Sequence, residues 1–287
     1  MPSKVGFAGY RLQLGGCLYD LSTKPLVMGI LNRTTDSFFD HGAYFKMEDF
    51  LDRASRLVRE GADILDVGGV KAGPGLEVSV DEEIDRVVPA ISALRERFDL
   101  PISVDTWRAE VAREAFAHGA SLGNDISGFA DPHYLRVAAA AGAGVVATHI
   151  RLAPRIPDPE PTYDDVVGTV ACFLAERARA AVEAGIPKES VILDAGLDLG
   201  KTWEQSLALL RASARLCQLG HPVLLSASNK TFLGRLLDLD IDERAVPSLA
   251  AVALGVSLGC RIVRVHDVAG TRRVCDVLSA VLEAGCG

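Results

Sequence analysis

A row of polar side chains recurs along this sequence, each group closing a short apolar run. In chain order the row is Asn32, Asp66, Asp105-Thr106, Asn124-Asp125, Thr148-His149, Asp194, Ser228-Asn229-Lys230 and Arg264-Val265-His266-Asp267. One Asp after an apolar run is ordinarily the N-cap of a following helix. Eight such endings in succession point to a ligand site instead. The residue types indicate the ligand. Asp105, Asn124 and Asp194 offer carboxylates and an amide, which suit a flat heterocycle with a guanidine-like edge of alternating donors and acceptors. Lys230, Arg264 and His266 offer cations and an imidazole, which suit a phosphate. The row describes a heterocycle joined to an anion.

The elements that must carry this row follow from the hydrophobic pattern. The apolar runs are Leu26–Leu31, Asp63–Val67, Ile102–Asp105, Ser121–Asp125, Val145–His149, Val191–Asp194, Val223–Ser226 and Ile262–Val265. Each is apolar on both faces, as parallel strands buried under helices are. Between them lie amphipathic stretches: Met47–Glu60, Asp81–Arg97, Arg108–Ala117, Asp164–Gly185, Trp203–Arg215 and Val246–Leu258. Eight βα units without a linker predict a TIM (β/α)8 barrel, one domain over residues 1–287, with its site at the C-terminal ends of the strands. An open doubly wound sheet is the alternative. Val5–Leu21 reads as a β-hairpin around Gly15-Gly16, ahead of the barrel. The Pro- and Arg-rich stretch Arg151–Thr162 reads as a loop after the fifth barrel strand.

Composition narrows the class. Of 287 residues 49% are apolar, enough for a large core and too many for a disordered chain. The net charge of −8 gives no sign of a nucleic-acid surface. The six cysteines are scattered without metal-site spacing and read as free thiols. No signal peptide precedes the barrel, and no apolar stretch reaches the roughly 18 residues that span a membrane, so a cytoplasmic location is expected.

Seven segments together resemble the dihydropteroate synthase family, from Leu26 onward and in the family's order. They are Met28-Gly-Ile-Leu-Asn-Arg-Thr-Thr-Asp-Ser-Phe38, Asp66-Val-Gly-Gly69, Ser103-Val-Asp-Thr106, Asn124-Asp-Ile-Ser-Gly128, Asp194 to Thr202, Ser228-Asn-Lys230 and Arg264-Val-His-Asp-Val268. In that family a dihydropterin pyrophosphate reacts with p-aminobenzoate. The resemblance implies that Asp105, Asn124, Asp194 and Lys230 hold a pterin-type ligand and that Arg264 lies along it. It implies that Arg264, His266 and Asn32 meet the pyrophosphate, with Asn32 also a ligand of Mg2+. Asp36 would support the developing cationic carbon, so Asp36 and Lys230 are the expected catalytic residues. Family members pair through their late helices, so a homodimer is expected, with no nucleic-acid or membrane partner.

The pterin ligands match the family's pattern, and the departures gather in the loops and at second-substrate positions, with Ser226 beside the pterin also changed. The family's second loop reads Gly-Gly-Glu-Ser-Thr-Arg-Pro-Gly; here it is Gly68-Gly69-Val70-Lys71-Ala72-Gly73-Pro74-Gly75. The Thr and Arg that the family uses at the aminobenzoate and pyrophosphate are Ala72 and Gly73, and Lys71 is only a flexible point charge nearby. The phenylalanines beside the aminobenzoate are Leu197 and Leu199, with Asp198 between them. Ser226 replaces a glycine and Asn229 an arginine. The reading is a divergent second paralogue of the actinobacterial type, with little or no synthase activity; the alternative is an active dihydropteroate synthase of folate biosynthesis. A different acceptor on the same pterin site, a Schiff base on Lys201 or Lys230, and a purely binding role are further alternatives. Trp107 reads as rim packing, His41, His118, His133 and His221 as surface or capping residues, and Asp81-Glu82-Glu83 as solvated first-turn charges.

Overall fold

The computed structural model describes residues 10–33 and 46–284. Its first two strands, β1 (Arg11–Leu14) and β2 (Cys17–Asp20), form an antiparallel hairpin in which Leu14 faces Cys17. Gly15 and Gly16 both take positive φ (55° and 79°), the conformation a tight hairpin turn requires.

Eight parallel strands then close a barrel: β3 (Leu26–Asn32), β4 (Ile64–Gly68), β5 (Ile102–Asp105), β6 (Leu122–Asp125), β7 (Gly144–Thr148), β8 (Val191–Asp194), β9 (Val223–Leu225) and β10 (Ile262–Val265). β10 pairs with β3, so no edge is left. The fold is the expected TIM barrel with an N-terminal hairpin. Barrel-strand bounds differ from the sequence reading by one residue at some ends.

The register explains the row of polar residues. Met28, Ile64, Leu122, Val146, Ile192, Leu224 and Ile262 form one buried cluster with Leu12, Leu14 and Leu21, so the hairpin plugs the N-terminal end of the barrel. Side chains two positions along a strand share a face. The next inward layer is therefore Asp66, Asn124, Thr148, Asp194, Ser226 and Arg264, joined by Asp105 from β5. The alternate set, including Val27, Leu65, Val104, Val145, Leu193 and Val263, packs outward against the helices.

Those helices are α1 (Met47–Arg59), α2 (Val80–Arg95), α3 (Ala109–Ala117), α4 (Tyr134–Ala140), α5 (Val166–Glu183), α6 (Trp203–Arg211), α7 (Ser213–Cys217), α8 (Thr231–Leu237), α9 (Ala245–Ser257) and α10 (Val268–Ala284). The expected helix Trp203–Arg215 is two helices. α6 opens on a capping box of Thr202 and Gln205 and ends at Ala212, after which α7 begins. The periodicity had not marked α4, α8 or α10: α4 and α8 are seven residues each, and α10 starts directly behind the polar Arg264–Asp267 stretch. Glu83 is also corrected. It is fully buried and paired with Arg108 at 2.8 Å, not a solvated first-turn charge. His221 is buried as well. Among the described residues no helix is long and apolar enough to cross a membrane.

Candidate active site

At the C-terminal end of the barrel Arg264 joins two carboxylates across the interior. Its Nε donates to Asp66 Oδ2 at 2.7 Å and its Nη2 to Asp105 Oδ2 at 2.6 Å. Asp66 is fully buried, and its other oxygen has no partner among the described residues. A buried carboxylate needs such a cation, because its desolvation is otherwise uncompensated. Burial alone would lower the Arg264 pKa; Asp66 and Asp105 outweigh it and hold the guanidinium firmly charged. Burial pushes Asp105 above the usual carboxylate range, with Arg264 pulling the other way.

Asp194 and Asn124 face the same interior and are less committed. Asp194 Oδ1 accepts the backbone N–H of Gly196 at 2.8 Å, while Oδ2 accepts nothing among the described residues. Burial raises the Asp194 pKa, against the pull of that N–H and of Lys230 and Lys201. Asn124 is 3% exposed, yet its amide makes no hydrogen bond to another described residue. Buried amides without partners are costly, so these edges are suited to a ligand's donors and acceptors.

Lys230 caps the start of α8 and donates from Nζ to Leu197 O at 2.6 Å, leaving two protons of the ammonium. Burial lowers its pKa, and Asp198 and Asp194 oppose that shift. Lys201 is different. Its Nζ donates to the carbonyls of His149 (3.1 Å), Gly196 (2.8 Å) and Leu199 (2.9 Å), which occupies all three protons. Burial pushes it down to about 7, but the three carbonyls make it a clamp on the β8 loop and not a nucleophile. Gly196 is required there: at φ 64° its Cβ would lie 2.0 Å from His149 O.

His266 Nδ1 lies 3.0 Å from Ser228 Oγ, and Arg53 donates to the His266 carbonyl at 2.9 Å. Burial, with Arg264, Arg53 and Lys230 adding to it, pushes the imidazole down to about 3, so it is neutral at pH 7. Asn32 ends β3 opposite Gly68, and its Oδ1 would lie 3.7 Å from a Cβ placed on that glycine. Its amide also makes no hydrogen bond to another described residue. Asp36 lies outside the described residues. No cluster of three or more His, Cys, Asp or Glu among the described residues could hold a metal ion. The Asn32 side-chain oxygen, with no hydrogen-bond partner among the described residues, fits an ion that takes its other ligands from phosphate and water.

The altered loop after β4 is gripped from outside. Arg86 Nη1 donates to Gly69 O at 2.8 Å, Arg108 Nη2 to Val78 O at 2.8 Å, and Arg155 holds the segment between them. Sequence reasoning missed this ring of arginines, since each donor comes from a different element. It also missed Asp66 as the second partner of Arg264. That signal was present as an acidic residue at a strand end. Leu197 is 1% exposed and belongs to the hydrophobic core, so it presents little surface to a ligand. The Asp198 carboxylate accepts from Phe232 N–H at 3.2 Å and Ser206 Oγ at 3.3 Å.

Comparison with known proteins places this geometry. The family model described as pterin binding enzyme matches residues 28–266. The chain is 47% identical over 266 residues to "Inactive dihydropteroate synthase 2" of Mycobacterium leprae, covering 90% of this chain and 91% of that one. It is 43% identical over 264 residues to the dihydropteroate synthase of Bacillus subtilis, covering 91% and 90%. The crystal structure of Yersinia pestis dihydropteroate synthase with a sulfonamide drug superposes with a TM-score of 0.91 at 37% identity, over 96% of this chain and 99% of that one. With the barrel, the row of strand-end residues and these relatives in agreement, this chain belongs to the dihydropteroate synthase family of pterin-binding enzymes.

Proposed function

We propose that this chain binds a dihydropterin at the strand ends and has little or no dihydropteroate synthase activity. One observation carries the reading. The interior groups Asp105, Asn124, Asp194, Lys230 and Arg264 line one end of the barrel, with the Asn124 amide and one Asp194 oxygen uncommitted among the described residues, while the β4 loop carries Ala72 and Gly73 where the family has Thr and Arg. Asp194 and Asn124 would take the pterin's donor–acceptor edge, and Asp105 and Lys230 would complete it. Arg264, fixed by Asp66 and Asp105, would lie along the ring.

In the family's reaction the amine of p-aminobenzoate attacks the exocyclic carbon, the C–O bond to the diphosphate breaks, and the amine loses a proton. Asp36 and Lys230 would act nearest that carbon. The diphosphate would meet Arg264, the neutral imidazole of His266 and Asn32. Mg2+ bound there through Asn32 would neutralise part of the diphosphate's charge. Loss of a positioned cation costs about 10²–10³ in rate, and several losses combine non-additively.

A second reading is an active synthase with a rebuilt acceptor side. The 43% identity to the Bacillus subtilis dihydropteroate synthase favours it. The apolar side chains exposed on the late helices, Leu236, Leu237, Val246, Leu254, Val277 and Val281, support a homodimer through that face. A cytoplasmic location completes the reading. Pyrophosphate release from the dihydropterin pyrophosphate with Mg2+, with and without p-aminobenzoate, tests it. Slow release indifferent to p-aminobenzoate supports the proposal; dependent release at an ordinary enzyme rate selects the active synthase.

A further inference from the structure

The arginines around the barrel mouth divide by what they face. Arg86 pairs with Glu82, Arg108 with Glu83, Arg151 with Asp158, and Arg264 with Asp66 and Asp105. Arg155 pairs with no carboxylate among the described residues, yet it is held in place. Its backbone N–H donates to Ala72 O at 3.0 Å, its Nη1 to Lys71 O at 3.5 Å, and its Nη2 to Leu76 O. Those carbonyls belong to the β4 loop, whereas Arg155 itself belongs to the loop after β7. Its φ is 67°, a left-handed backbone that long side chains seldom adopt and that persists only where surroundings enforce it.

Beside this guanidinium the β4 loop carries small residues. The two loop carbonyls flank the Ala72-Gly73-Pro74-Gly75 turn. A Cβ on Gly73 would meet nothing within 4 Å, and one on Gly75 would lie 3.4 Å from Arg155 Nη2. A guanidinium carries five N–H donors, and the two carbonyls occupy only part of that fork. The rest is a charged edge aimed by backbone dipoles, paired with no carboxylate among the described residues, in a chain of net charge −8. Anions are recognised by such an edge, bidentately where the geometry allows.

We infer that Arg155 is an anion-binding residue at the barrel mouth, supplied by the β7 loop to the segment where the β4 loop carries Ala72 and Gly73. Its ligand is a carboxylate or a diphosphate, the two anions of the reaction read above. The inference rests on that reading only in setting the anion beside a pterin.

Calorimetric titration of the full-length protein tests it, using inorganic pyrophosphate with Mg2+, p-aminobenzoate, and 6-hydroxymethyl-7,8-dihydropterin as separate probes. In Arg155→Gln one of the two anions should bind roughly tenfold to hundredfold more weakly, and in Arg155→Lys by less, with pterin affinity unchanged. The anion that weakens identifies the source. If Arg155→Gln does not fold, Arg155→Lys decides: weakened anion binding supports the inference and unchanged binding overturns it. Anion affinities unchanged in Arg155→Gln, even with a lower Tm, would make Arg155 a loop latch alone and overturn it. Absence of millimolar binding of either anion to the wild type would overturn it too. A wild type that binds an anion but not the pterin would refute the pterin reading and leave Arg155 standing.

Discussion

Asp194 and Gly73 stand on opposite sides of the same barrel mouth and are fixed in different ways. Asp194 ends a strand paired on both sides, with Thr148 opposite it in β7 and Leu224 in β9. Its inward direction is set by Ile192, two residues before it in the plug layer. Changing Asp194 leaves the fold's register intact but changes what lines the interior. Gly73 lies on a loop whose path is set by the carbonyl contacts of Arg86, Arg108 and Arg155, all from other elements. A loop held by its backbone can change side chains freely. Interior groups can therefore be kept while the β4 loop diverges.

Four variants sharpen the contrast. The largest effect is expected for Arg264→Met, which strands the buried Asp66 without a cation. Urea unfolding should show a loss of about 3–5 kcal/mol. A loss under about 1 kcal/mol would mean that the interior is no more fixed than the loops. Next, Asp194→Asn should leave the fold intact and weaken dihydropterin binding about a hundredfold by calorimetry, since the charge is lost and one of two acceptor oxygens becomes an NH2 donor. Unchanged affinity would remove the pterin from that side.

Third, Ala72→Thr with Gly73→Arg restores the family's loop residues. Nothing within 4 Å obstructs a Cβ at Gly73, so the graft has room. Turnover dependent on p-aminobenzoate should rise about tenfold from its low base, short of the 10²–10³ of one ideal donor because Leu197, Ser226 and Asn229 also differ. No gain would place the defect elsewhere. The fourth, which shows only on acidification, concerns His149, whose ring packs edge-on to Phe173 and whose Nδ1 is buried without a partner among the described residues. Burial pushes its pKa from 6.5 down to about 3. Between those values the unfolded chain binds a proton that the folded chain does not, so stability falls as pH drops through that window. His149→Phe removes this contribution. Between pH 7 and 5 it should lose up to about 2 kcal/mol less than the wild type in thermal or urea unfolding. Parallel pH profiles would contradict the buried, neutral imidazole.

The barrel and its interior groups were legible because both follow from a period of two. Ile64 then Asp66, Leu122 then Asn124, and Ile262 then Arg264 each state an apolar layer and a polar layer above it. What lies between elements far apart in sequence was not legible. Glu83 reads as a first-turn charge until Arg108, from a different helix, is brought to it. Arg155 sits in a stretch whose prolines suggest only a loop, and its contacts lie about eighty residues upstream. Lys201 reads in the sequence as an anion or pterin ligand, with a Schiff-base nucleophile as the alternative, whereas its ammonium is taken up by three carbonyls from separate segments. The split of Trp203–Arg215 at Ala212 is a tertiary effect, since nothing in that stretch breaks a helix by propensity.

The most direct test is a pair of titrations on one wild-type preparation, 6-hydroxymethyl-7,8-dihydropterin first and p-aminobenzoate second, the latter with the pterin site filled and Mg2+ and pyrophosphate present. Saturable pterin binding followed by no saturable p-aminobenzoate binding is the expected result. Saturable binding of both, at comparable affinity, would contradict the proposed division between a retained pterin side and a lost acceptor side.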